Sequence, residues 1–107
     1  MPKIKVYEFS KVNGTGFCYV FEKELAKQEK IIVKMPVVSA NKRGVNDIGW
    51  ISDGAVKLSG TFAKDPTKEE ALWQPINDRD EVNKTTAAIK IENMGDECRI
   101  EMRAILN

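Results

Sequence analysis

Apolar and polar residues alternate through much of the second half of the chain. Over residues 55–62, Val56, Leu58 and Phe62 fall on one side and Lys57, Ser59 and Thr61 on the other. That two-residue period predicts a strand with one buried face. Residues 84–92 repeat it, with Ala87, Ile89 and Ile91 against Thr86, Ala88, Lys90 and Glu92. Residues 98–106 do so again, Cys98, Ile100, Met102, Ala104 and Leu106 opposing Arg99, Glu101, Arg103 and Ile105. Asn93-Met94-Gly95-Asp96 separates the last two runs, and these residue types suit a tight turn. The expectation is an antiparallel hairpin over residues 85–106, with its charged side in water.

The first half is less regular. Residues 3–8 and 17–22 read as short strands around a turn at Asn13-Gly14-Thr15-Gly16, and residues 31–38 as a β-branched run whose Pro36 argues for an edge or a bulge. Residues 22–30 hold good helix formers, yet only Leu25 and Ala26 are apolar, so a polar turn or strand end is expected there, a short helical turn being the alternative. Ser52-Asp53-Gly54 marks a turn after a strand carrying Ile48 and Trp50. Residues 63–70 form the most loop-like piece, leading into a strand or tight wrap at 71–76. Seven or eight short strands with no clear helix predict an all-β fold: one domain over residues 1–107, an antiparallel, jelly-roll-like β-sandwich.

Composition narrows the chemistry. The chain has no histidine, which removes histidine-dependent nucleophilic sites and the usual zinc ligand sets. No phosphate-binding glycine loop is present, since Gly14-Thr15-Gly16 lacks the third glycine and the βαβ setting. The acidic group Asn77-Asp78-Arg79-Asp80-Glu81-Val82-Asn83 lacks the sixth-position glycine of a calcium loop and reads as a solvated turn. Cys18 and Cys98 are far apart in sequence and form no metal or redox motif; two buried thiols are expected. No catalytic residue, metal site or cofactor is therefore assigned, and a non-enzymatic role is expected.

Seventeen basic and sixteen acidic residues leave a formal charge of +1, so no global field draws the protein to nucleic acid or to acidic lipid. The basic stretch from Lys34 to Arg43 has no interleaved aromatics and reads as a solvated loop. Lys3, Ile4, Lys5 and Val6 alternate where a secretory signal would be continuously apolar, which gives a cytoplasmic or virion-associated location as the expectation and makes the acceptor patterns at Asn13 and Asn83 coincidental. Trp50 and Trp73 are the binding candidates. Either they are core or subunit-interface residues, the favoured reading, or they are flat platforms on which a glycan stacks.

From Asp47 onward the chain resembles small β-sandwich structural proteins of tailed phages and prophages. The residues that carry the resemblance are Ile48-Gly49-Trp50-Ile51-Ser52-Asp53-Gly54, Val56-Lys57-Leu58-Ser59-Gly60-Thr61, Ala71-Leu72-Trp73, residues 87–93 and residues 102–107. The resemblance implies a non-enzymatic part that self-associates or joins other virion or assembly proteins. The expectation is thus a symmetric homo-oligomer, with a glycan-binding module as the alternative.

Overall fold

The computed structural model describes residues 4–12, 18–39, 42–43, 47–63, 66–67, 72–78, 82 and 86–105. The turn expected at residues 13–16, the acceptor pattern at Asn83, most of the 63–70 loop and the acidic group beyond Asp78, Val82 apart, lie outside them. The described elements are strands: β1 (Lys5–Glu8), β2 (Ser10–Lys11), β3 (Cys18–Leu25), β4 (Lys30–Lys34), β5 (Val37–Ser39), β6 (Lys42–Arg43), β7 (Asp47–Ser52), β8 (Val56–Thr61), β9 (Gln74–Ile76), β10 (Ala88–Asn93) and β11 (Cys98–Ile105). One sheet has the order β1-β4-β10-β8-β9, a second the order β2-β3-β11-β7, and β5 and β6 form a separate ribbon. The all-β expectation holds.

Both sheets contribute to one core. Ile31, Val33, Leu58, Ile89 and Ile91 from the five-stranded sheet belong to the same buried cluster as Phe21, Leu25, Ile48, Ile100 and Met102 from the four-stranded one. β11 shows why the sequence pattern is so regular: Cys98, Ile100, Met102 and Ala104 are buried, whereas Arg99, Arg103 and Ile105 are exposed. As the middle strand of its sheet's buried half, flanked by β3 and β7, β11 can satisfy its backbone on both sides while only one face is dry.

The expected hairpin over residues 85–106 does not form. β10 lies in the five-stranded sheet and β11 in the four-stranded one, so the turn between them is an arch that crosses from sheet to sheet. Alternation could not reveal this, because two strands facing each other across a core alternate as two paired neighbours do. The β3–β4 and β7–β8 connections cross between the sheets in the same way. Three arches therefore stack at one end of the molecule, with β3, β11 and β7 in one layer and β4, β10 and β8 in the other.

At one side edge the chain itself spans the layers: β1 pairs with β4 and, two residues later, β2 pairs with β3. The β1–β4 pair is parallel, a departure from the wholly antiparallel expectation. Tyr7 and Phe9, on either side of the sheet switch, pack their rings 5.8 and 6.2 Å from that of Phe21 and so fill the corner.

Other expectations are corrected locally. The run at 31–38 is not one strand but breaks at Pro36: β4 ends in the interior of its sheet, between β1 and β10, while β5 after the proline pairs only with β6 among the described residues, with a register irregularity between Val37 and Ser39. Residues 22–30 form the end of β3 and a turn that runs into β4, in line with the expectation of a strand end and polar turn rather than the helical alternative. Phe62 lies beyond β8 and is 60% exposed, while Ser59 and Thr61, expected in water, are buried. Ile32 and Ala88, on the same outward face of the five-stranded sheet, are buried as well, so that part of the face is covered, while Lys30 and Lys57 on it are exposed. Cys18 lies opposite Ile105 and Cys98 opposite Leu25, at the two ends of the β3–β11 ladder and roughly 20 Å apart, so both thiols are free. Cys98 is buried as expected, but Cys18 is only half-buried.

Candidate functional site

A concave region lies at the arch end. Its hollow, of about 500 Å³, is lined by Lys23, Glu29, Asp53, Glu97, Cys98 and Arg99, among others. Its polar groups are largely committed to holding the arches. Buried Asn93 donates from Nδ2 to the carbonyls of Ala26 and Asp96, each at 2.9 Å, and its Oδ1 accepts from the Gly95 amide at 3.1 Å. The Asn93 amide donates to the Glu29 carbonyl at 2.9 Å and the Met94 amide to the Ala55 carbonyl at 2.8 Å, so one short segment ties all three arches. The Arg99 amide donates to Asp53 Oδ1 at 2.7 Å, and Lys23 pairs with Glu29 at 3.7 Å. Ser52 Oγ accepts from the Gly54 amide at 3.2 Å and shapes the turn that brings Gly54 against Cys98.

Asn93 is the residue the sequence reading undervalued. Its type signalled a turn correctly. The missed signal is that it occupies the inward parity of β10, after Ile89 and Ile91, where a buried amide needs several partners.

The second hollow, of about 290 Å³, lies beside β7 and is lined by Gly49, Trp50, Asn77 and Asp78. Trp50 sits opposite Met102 on the inward face of β7 and packs, half-buried, against the core. Trp73 is placed differently. Its ring receives the Lys90 ammonium at 4.6 Å, on the outward side of the five-stranded sheet. The two tryptophans therefore do not share one platform.

The outward face of the four-stranded sheet combines ion pairs with bare apolar groups. Arg99 meets Glu22 at 2.6 Å and Arg103 meets Glu101 at 2.9 Å. Ile51 is 76% exposed and Ile105 45%, on the same face as the half-buried Val20 and Cys18. Ile51 breaks the polar parity of its strand, a signal present in the sequence and not used.

Among the described residues no group of three or more cysteine, aspartate or glutamate side chains is placed to hold a metal ion, and no helix is long and apolar enough to cross a membrane. No family model, curated protein or solved structure matches the chain.

Proposed function

We propose that the protein is a non-enzymatic structural or interaction protein that works as a symmetric homo-oligomer, in keeping with its resemblance to phage and prophage virion components. The observation that carries this reading is the outward face of the four-stranded sheet, where Ile51 and Ile105 stand in water beside ordered ion pairs. Exposed apolar residues on a sheet face lose contact with water when a second surface covers them, at about 25 cal/mol for each Å² removed. The arch end supports the reading in another way: its polar groups stiffen the frame, and a stiff frame loses little conformational freedom when it assembles.

Light scattering from about 10 μM to 1 mM tests it. A mass that rises to a fixed multiple of 12.1 kDa supports the proposal, and 12.1 kDa throughout refutes it.

A second reading, a glycan-binding module, draws on the hollow at Trp50, where an indole, an amide and a carboxylate meet. Saturable quenching of tryptophan fluorescence by simple sugars, lost in Asp78→Ala, would favour it over self-association.

A further inference from the structure

We infer that Lys23 guards an open half of the β3 edge and keeps extended chains from adding to the four-stranded sheet there. The inference is independent of the oligomer reading.

β2 is too short to cover β3. It pairs Ser10 with Val20 and Lys11 with Tyr19, and the Val12 amide donates to the Cys18 carbonyl at 2.9 Å. That last bond shows which way the backbone of β3 faces. Successive residues of a strand turn their amides and carbonyls to opposite sides, so Cys18, Val20, Glu22 and Glu24 present theirs toward β2, and Tyr19, Phe21, Lys23 and Leu25 toward β11. From Phe21 to Leu25 no described strand pairs on the β2 side, because the residues before β2 belong to β1 in the other sheet. The backbone groups of Glu22 and Glu24 therefore line an open edge. β1 lies in the facing layer, where Tyr7 meets Lys23, so the place beside β3 admits a single extended segment rather than a second folded copy.

Phe21 and Leu25 are buried at the inward positions of this stretch. An apolar residue between them would complete an apolar stripe beside open backbone, the combination that templates further strands. Lys23 stands there instead, at an inward position opposite buried Ile100. Its ammonium lies 5.4 Å from the centroid of the Tyr7 ring and 3.7 Å from Glu29 Oε2, and it donates to the Glu24 carbonyl at 3.2 Å, one of the acceptors of the edge itself. The other oxygen of Glu29 accepts from the Ala26 amide at 2.9 Å, which fixes the carboxylate in the β3–β4 arch. The lysine is thus held across the mouth between the two layers. Its side chain remains 23% exposed, so a strand added here would have to strip water from an ammonium group. An inward-pointing charge is one of the devices by which sheet edges are blunted.

Two variants and one exchange measurement on the full chain test this. Lys23→Met keeps an unbranched stem over Tyr7 and drops the charge. Lys23→Glu keeps a charge at the same place but sets it against Glu29, so urea denaturation should find it the less stable of the two. The expected result is that Lys23→Met passes from soluble protein into thioflavin-positive material at least about 10-fold faster than the wild type, whereas Lys23→Glu stays soluble despite its lower stability. Growth without a fixed stoichiometry separates this from a reversible oligomer. In the wild type, the amides of Glu22 and Glu24 should exchange at least about 10-fold faster than those of Phe21 and Lys23, which face β11. A Lys23→Met protein as persistent in solution as the wild type, or a Lys23→Glu protein lost as fast as Lys23→Met, overturns the guarding role. Equal protection of the four amides overturns the open edge.

Discussion

Asn93 donates from its side-chain nitrogen to the carbonyl of Ala26 at 2.9 Å, fastening the β10–β11 arch to the β3–β4 arch. The same nitrogen reaches Asp96, and the side-chain oxygen holds Gly95, so one buried amide satisfies groups from two connections. Asn93→Ala leaves those groups without partners and should lower unfolding free energy by roughly 2–4 kcal/mol. Asn93→Asp is isosteric but cannot donate while ionised, and at neutral pH it should cost at least as much. Urea denaturation measures both, and a loss below about 1 kcal/mol in each would deny Asn93 this role.

Gly54 lies so close to Cys98 that a Cβ at position 54 would stand 2.5 Å from Cys98 Cβ and 3.0 Å from its Sγ. Gly54→Ala should therefore destabilise the fold by about 1–3 kcal/mol as the two arches are forced apart. Cys98→Ala removes the sulfur and keeps the Cβ, so it should not rescue Gly54→Ala in the double variant. Thermal unfolding of the two single variants and the double supplies the check; full rescue would contradict this packing.

Gln28 turns the β3–β4 arch with φ of 60°, in the left-handed region. An L side chain there costs about 1–2 kcal/mol, most of all when β-branched. Gln28→Gly should be neutral or stabilising by up to about 1 kcal/mol, and Gln28→Val destabilising by about 1–2 kcal/mol. Denaturation midpoints for the pair decide it; equal midpoints would remove the strain from this turn.

Much of the strand content was legible in the chain because burial on one face writes a two-residue period. The inward positions of β10 and β11 follow from Ile89, Ile91, Ile100 and Met102 alone. Pairing was not legible. Asn93-Met94-Gly95-Asp96 suits a hairpin and an arch alike, and the difference lies in where the Asn93 amide finds its partners. Ser59 and Thr61 misled for a related reason: polar residues on one side of a strand suggest water, yet both are buried, and Thr61 Oγ1 accepts from the Ala63 amide at 3.2 Å. As for the candidate site, Trp50 and Trp73 stand out by residue type alone, and the structure sets them beside different sheets. That Trp50 lies on the last strand of its sheet depends on strand order, which no local pattern records.

The two cysteines should differ in reactivity. Cys18 is half-buried on the outward face of β3, whereas Cys98 is buried behind Gly54. Thiol titration with an aromatic disulfide should label Cys18 at least about 10-fold faster in the folded protein, and reducing agent should leave the melting temperature unchanged. Equal labelling rates, or a melting temperature that falls on reduction, would contradict the assignment of two separate free thiols.

The self-association account is tested most directly by sedimentation equilibrium of the full chain from about 10 μM to 1 mM, alongside Ile51→Lys, which charges the exposed outward face of the four-stranded sheet. The account predicts that the wild-type mass reaches a fixed multiple of 12.1 kDa and that Ile51→Lys raises the dissociation constant by about 10-fold or more while circular dichroism stays unchanged. A mass of 12.1 kDa at every concentration would contradict the account.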